Sequence, residues 1–269
     1  MRSGGVLAVA SLAFRESARS RVLHALIGTM VVVCGSSYLF AWVAGGDRDL
    51  PRRLKIVGDF SLSALTMLGT LAAIFLGTNL VYQEVQRRTV YPVLSRPLSR
   101  SGFVLGKYLG LVGVLGVAVA LMSFSFLVLY ALGGGRPSPQ LLAALGFVYV
   151  ELLVVTAIAI LFSVAAHPIE GAVFSFVVAV AGHQTSSIKD LADGLVERGE
   201  AGTLTLIGHK LLWVLYLVFP NLENFNLRGP AIYGMPLQAG HLLWAIVYAA
   251  VYTAIVLALA CLVFRRKTL

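Results

Sequence analysis

The sequence predicts an all-α, polytopic membrane protein with six transmembrane helices. Of its 269 residues, 58% are hydrophobic and only 12% are charged, whereas soluble domains carry about 25% charged residues. Several apolar runs approach or exceed the roughly 20 residues that span a bilayer, and they do not alternate as the strands of a membrane barrel do. We therefore expect a single transmembrane domain over residues 1–269. An N-terminal interfacial helix and a short external re-entrant region before the last helix complete it.

The chain begins with a short segment that we expect to lie on the membrane. Residues 3–21 are apolar at first and basic at the end, and the apolar part is too short to span. A signal peptide is the alternative interpretation, but a full-length apolar segment follows at once. Residues 22–44 and 56–81 are the first two predicted spans, and a charged loop at 45–55 joins them.

The remaining spans are separated by clear break signals. A glycine- and proline-rich turn lies at 133–139, and His167-Pro168 forms a second break. The external region at 183–240 is mostly polar, and its apolar run at 204–219 is below spanning length. We expect that run to lie in the interface or to enter the membrane without crossing it. The later predicted spans are 104–132, 141–166, a short run at 169–182 that can be extended through polar residues to 187, and 241–264.

The distribution of positive charge predicts the orientation. The N-terminal segment, the loop at 82–108 and the C-terminal Arg265-Arg266-Lys267 are all basic. Six spans place all three in the cytoplasm, as the positive-inside rule requires, whereas seven would place the C-terminus outside. We expect both termini in the cytoplasm, in an inner membrane. The net charge of +9 then reflects orientation and contact with the lipid bilayer rather than binding of nucleic acid. The basic loop at 45–55 is an exception to this rule.

Small residues recur every four positions in two of the predicted spans. Such stripes let helix backbones approach closely, although glycine is also common in membrane helices in general. We expect the stripes to pack helices, within one subunit or between two copies, without forming a ligand site. They consist of Gly69, Ala73 and Gly77 in the second span and Gly102, Gly106 and Gly110 at the entry to the third.

The loop at 82–108 is the most distinctive part of the chain. It reads YQEVQRRTVYPVLSRPLSRSGFVLGKY, with six charged residues and two prolines between two apolar segments. Because charge is poorly tolerated in hydrocarbon, this loop must lie outside the membrane. Its excess of basic residues predicts the cytoplasmic side.

This loop resembles the loop between the second and third membrane helices of ABC-2-type transporter permeases. The likeness rests on Glu84, Arg88-Thr89, the run LSRP at 94–97, Ser99-Arg100 and Gly106-Lys107. In that family the loop forms a coupling helix that docks on a separate ATPase subunit. The closest likeness is to small single-domain permeases, such as those of nitrous-oxide-reductase maturation and gliding motility. The resemblance implies that the ATPase is contacted by Glu84, Arg87, Arg88, Thr89, Arg96, Pro97, Arg100 and Lys107.

The same resemblance implies the partners and the activity. It implies a permease homodimer with two copies of an ABC ATPase, which would bind ATP and Mg. Hydrolysis would drive substrate export, or pass mechanical work to a periplasmic partner through the external region. We expect no enzymatic activity, cofactor or metal in this chain. Its Gly106-Lys107 pair lacks both the preceding glycine and the following serine or threonine of a nucleotide-binding loop.

Glu151, inside the fourth predicted span, supports an alternative class. A carboxylate within the membrane is costly and marks a functional site by default, so it could serve a substrate path or an ion- or proton-coupled carrier. The competing interpretation is that it lies near the outer end of its helix and is paired or hydrated. His183 and His209 could meet on the outer face, but no further ligand completes a metal site at the usual spacing. A hydrolase motif Gly-x-Ser-x-Gly is absent from the sequence.

Overall fold

The structure, a computed structural model, describes residues 3–45, 49–86, 99–197 and 203–266. Every regular element in these ranges is helical, which confirms the predicted all-α class. A single 3₁₀ turn lies at Leu222–Phe225, and ten α-helices account for the rest. They are α1 Ser3–Ala18, α2 Arg21–Gly45, α3 Leu50–Gln86, α4 Arg100–Leu132, α5 Pro139–Ala165, α6 Pro168–His183, α7 Thr185–Glu197, α8 Thr203–Val218, α9 Arg228–Tyr233 and α10 Ala239–Arg266.

Five helices in the described ranges are long and apolar enough to cross a membrane, namely α2, α3, α4, α5 and α10. A sixth crossing needs α6 together with the start of α7, which are bent by 60° at their junction. Alone, the 16 residues of α6 span about 24 Å, less than the roughly 30 Å of hydrocarbon, so the crossing needs the first turns of α7. The described residues thus hold five or six spans, and six is the predicted number.

Six spans lead to a specific prediction for topology. A reporter fused after Leu269 should be cytoplasmic, and a reporter inserted within 190–200 should be external, because only α10 crosses between them. Paired alkaline phosphatase and fluorescent-protein fusions measure both sides. A C-terminal fusion that reports an external position would mean that α6 and α7 do not cross, and the count would fall to five.

The breaks between helices follow local sequence signals. The Ser99 hydroxyl accepts a hydrogen bond from the Gly102 N–H at 3.1 Å, and Ser138 accepts one from the Leu141 N–H at 3.2 Å, so each caps a helix N-terminus. Gly134 takes a positive φ of 86° in the turn after α4, a conformation that favours glycine. These caps explain why α4 and α5 each begin slightly before the predicted span.

Two connecting regions differ from the sequence prediction. The loop predicted at 45–55 is shorter, because α3 already begins at Leu50; the Asp49 carboxylate accepts a hydrogen bond from the Arg52 N–H at 3.2 Å. The external region is more helical than its polar composition suggests, and its apolar run forms the 16-residue helix α8. This helix is below the length of a span, as predicted.

Helix α5 lies at the centre of the bundle and packs against α3, α4, α6 and α10. In its most apolar stretch 67% of the residues are buried, against 22% in α2. At the other side of the bundle, α1 packs along α4, where Val9 and Ala13 are buried. The fold therefore places the start of α4 between the N-terminal helix and the core.

Candidate functional site

The residues expected to contact an ATPase fall only partly within the described ranges. Glu84 lies in the last turn of α3, which extends to Gln86, and Arg100 and Lys107 lie in the first turns of α4. The other predicted residues lie outside the described residues: Arg87, Arg88, Thr89, Arg96 and Pro97.

Arg100 connects the start of α4 to the end of α10. Its guanidinium donates hydrogen bonds to the backbone carbonyls of Arg265 at 3.2 Å and Phe264 at 3.5 Å. These carbonyls carry the negative end of the helix dipole, so a cation is well placed there. Phe103, one turn further along α4, stacks on the Phe264 ring at a centroid distance of 5.7 Å. The two contacts fix the C-terminal end of α10 to the residues that follow the charged loop.

Lys107 connects the same part of α4 to the N-terminal helix. Its side chain is fully buried, and its Nζ lies 3.5 Å from the Glu16 Oε2 on α1. The ammonium also lies over the Phe103 ring, 5.8 Å from the centroid. Lys107 therefore contacts α1 in this conformation, and its contact with an ATPase stays a prediction.

Both glycine stripes lie against helices of the same chain. A Cβ at Gly77 would lie 2.6 Å from the Ala159 Cβ, and one at Gly69 would lie 2.9 Å from Leu152, so this stripe packs on α5. Ala73 between them is fully buried.

The second stripe packs on α1. A Cβ at Gly110 would lie 2.5 Å from the Ala10 carbonyl oxygen, and one at Gly106 would lie 2.8 Å from the Val9 Cβ. Gly102 is also buried. Both stripes thus serve contacts within one subunit, where they bring backbones together.

Glu151 is buried in α5, with 2% of its side chain exposed, and its partner is His183 at the end of α6. The Glu151 Oε1 lies 3.2 Å from the His183 Nε2. The His183 Nδ1 lies 3.0 Å from the Ala179 carbonyl oxygen, which can only accept, so Nδ1 carries a hydrogen. Contact between Nε2 and Oε1 then requires one further proton, held by the imidazole or by the carboxyl. The buried acid is paired, which was one of the two interpretations of Glu151 open from the sequence.

His183 as the partner of Glu151 was missed by the sequence analysis, although the sequence contains a signal for it. The two residues are equally far along the chain from His167, where α5 gives way to α6. In two antiparallel helices, residues equidistant from the connecting turn lie at the same height. Polar residues at such matched positions are candidates for pairing.

A second polar group, carried mainly by the external region, adjoins this pair. The Arg228 Nε of α9 donates to the Asn226 Oδ1 at 3.1 Å, and its Nη1 donates to the Ser63 Oγ of α3 at 2.5 Å. The Asn226 amide in turn donates to the Glu223 Oε1 at 2.9 Å. Arg228 therefore ties the external region to the outer half of α3.

The space between Glu151, His183 and Arg228 is small. The cavity that these three residues line has a volume of about 10 Å³, which holds about one water molecule. A larger solute cannot reach Glu151 through this cavity in the present conformation. Within the described ranges, no group of three or more His, Cys, Asp or Glu residues is arranged to hold a metal ion.

Comparison with known proteins identifies the class. The sequence profile of the family described as "ABC-2 family transporter protein" matches residues 7–181, more than half of the chain. The chain belongs to this family, and the resemblance read from the 82–108 loop is confirmed. It is a multi-pass membrane permease of an ABC transporter. No curated protein matches the sequence significantly. The matched segment includes Glu151 and Ser63 and ends before His183 and Arg228.

Proposed function

We propose that this permease couples ATP hydrolysis by a separate ABC ATPase subunit to substrate export or mechanical transmission across the inner membrane. It would act as a homodimer with two ATPase copies, and ATP and Mg would bind to the ATPase. Family membership supports the class of partner. The observation that carries the coupling role is the position of α4, whose first turns follow the charged loop and contact both α1 and α10.

These contacts suggest how force would travel. A displacement of the loop at 82–108 would move the start of α4 directly, since Ser99 caps that helix at the end of the loop. The Lys107–Glu16 pair would then move α1, and Arg100 would move the end of α10. The Lys107 ammonium is fully buried, whereas 45% of the Glu16 side chain is exposed, so the pair joins the interior of α4 to the accessible face of α1. In this mechanism Lys107 is a positioning residue that acts through α1.

The proposal predicts that charge in the loop serves the partner interface rather than folding. We expect Glu84→Ala and Arg88→Ala to leave expression and membrane insertion near normal. An exposed ion pair at helix spacing contributes only about 0.3 to 0.5 kcal/mol, so the loss of either residue should change stability little. Each variant should nevertheless weaken co-purification of the partner ABC ATPase and reduce function in the cell.

A matched control is Arg136→Ala, which removes an exposed charge from the turn between α4 and α5, at the opposite end of α4 from the loop. It should co-purify the ATPase as the parent does. If the Glu84 and Arg88 variants also bound the ATPase and functioned normally, the loop would only mark the inner side of the membrane. The coupling assignment would then be dropped.

A further inference from the structure

A groove runs between α3 and α6 over much of their length. Its inner part has a volume of about 380 Å³ and its outer part about 290 Å³. Leu71 and Phe176 line both parts, so the two form one continuous groove. Exposed apolar side chains lie along its edges; Met67 is 63% exposed and Phe176 is 47% exposed. In a bilayer these edges would face hydrocarbon, and the groove would be open to it from the side.

The two ends of the groove differ in chemistry. The inner part is lined mainly by apolar side chains, among them Ile74, Ala172 and Val173. The outer part is lined by Ser63, Thr70, His183, Gln184 and Arg228, in addition to apolar residues. A molecule that fits both parts must have an apolar chain and a polar end.

Two groups in the outer part are suited to an anion. The Arg228 guanidinium uses its Nε and Nη1 for Asn226 and Ser63, and none of the described carboxylates forms an ion pair with it. The nearby acids are occupied elsewhere: Glu151 contacts His183, and Glu223 accepts a hydrogen bond from Asn226. Both hydrogen-bond acceptors of the Arg228 guanidinium, Asn226 and Ser63, are thus neutral.

Thr70 is the second group. Only 7% of this residue is exposed. Its hydroxyl has no hydrogen-bond partner among the described residues. A buried hydroxyl without a partner loses free energy that a ligand oxygen would restore. Thr70 and Arg228 line the same part of the groove.

We propose that the groove between α3 and α6 binds an anionic phospholipid of the surrounding bilayer, with its phosphate at Arg228, an ester oxygen at Thr70, two turns along α3 from Ser63, and one acyl chain along the apolar part. Guanidinium groups bind phosphate through directed, charge-assisted hydrogen bonds, and basic pockets between membrane helices bind lipid headgroups. A lipid can enter the groove sideways from the membrane, and its amphipathic form matches the polar and apolar halves. This site does not depend on the proposed coupling to an ATPase.

The headgroup contact can be tested with the full-length protein in nanodiscs of equal phosphatidylglycerol and phosphatidylcholine. Native mass spectrometry after mild release measures which lipid stays bound. The parent should retain phosphatidylglycerol in preference, and Arg228→Gln should lower that retention about tenfold, as expected for loss of a charge-assisted hydrogen bond. Arg228→Lys should keep most of the preference, and the exposed control Arg136→Gln should match the parent.

The chain contact is tested by Ala172→Trp, which fills the apolar half of the groove. It should lower retention of both lipids, and inorganic phosphate added to the parent should displace neither. Equal phosphatidylglycerol retention by the parent and Arg228→Gln would overturn the proposal. Displacement of the lipid by phosphate alone would also overturn it, since the acyl chain would then contribute nothing. Capture of a second copy of the chain, instead of lipid, by a photo-crosslinker at Met67 would also overturn the proposal, because the groove would then be a protein interface.

Discussion

Replacement of Glu151 by alanine is expected to lower the free energy of unfolding by about 3 kcal/mol. Removal of the carboxyl leaves the His183 Nε2 without its partner, which costs about 1 to 3 kcal/mol. We expect the upper end of that range, because only 2% of the Glu151 side chain is exposed and its truncation also leaves a cavity in the core. Chemical denaturation of the detergent-solubilised protein, followed by tryptophan fluorescence, measures the change.

Glu151→Gln is the matched control for this experiment. The His183 Nδ1 hydrogen is directed to Ala179, so the amide of the new side chain can donate to Nε2 and keep the contact without a charge. Its stability should stay within about 1 kcal/mol of the parent. The same variant separates the permease from a proton-coupled carrier, because a carrier needs the carboxyl group itself. Loss of cellular function in Glu151→Gln, with stability unchanged and no ATPase bound to the parent, would favour the carrier.

Substitution of Gly110 by alanine is the second change with a large expected effect. The added Cβ would lie 2.5 Å from the Ala10 carbonyl oxygen and 2.6 Å from the Ala13 Cβ, distances that force α1 away from α4. Overpacking of this kind costs about 1 to 3 kcal/mol. Separation of α1 from α4 would also strain the Lys107–Glu16 contact. We therefore expect both lower stability and faster proteolysis of the N-terminal helix.

Gly146→Ala provides the control for that prediction. Gly146 lies within α5, and a Cβ there would meet no atom within 4 Å. Alanine favours helix over glycine by about 1 kcal/mol, so this variant should be as stable as the parent or slightly more stable. Limited proteolysis and denaturation of the two variants side by side isolate the effect of close packing. Equal behaviour of the two would contradict the backbone contact between α1 and α4.

The sequence was sufficient for the helices because hydrophobic length and turn residues are local signals. The predicted spans at 22–44, 104–132 and 241–264 each lie within a single helix, and Gly134 and Ser138 mark a true turn. The stripes also predicted close packing, since few residues other than glycine allow it. Hydropathy alone could not show whether the helix that packs on each stripe belongs to the same chain or to a second copy.

Partners of charged side chains were harder to predict, because they depend on which helix faces meet. Lys107 was read as part of a charged loop, but α4 begins at Arg100 and carries it two turns into the bundle. Its position next to Gly106, on the stripe that meets α1, was the available signal. For Arg228 the sequence contained no such signal, since its contact with Ser63 joins residues far apart in the sequence.

The structure also accounts for part of the basic charge at 45–55. The Lys55 ammonium lies over the Tyr233 ring of α9, 5.3 Å from its centroid. A cation held by an aromatic ring contributes to packing. Lys55 therefore has a structural role, although the predicted six-span topology would place it on the side of the membrane where the orientation rule disfavours positive charge.

Contacts without intervening side chains have a mechanical consequence. Where Gly77 meets Ala159 and Gly110 meets Ala10, no rotamer can change to absorb a displacement. We expect α3 with α5, and α1 with α4, to move as two stiff pairs. Between them, the Tyr108 hydroxyl donates to the Leu153 carbonyl at 3.3 Å and the Tyr149 hydroxyl donates to that of Val112 at 3.0 Å. Sliding of one pair along the other would therefore have to break these two hydrogen bonds across the seam between α4 and α5.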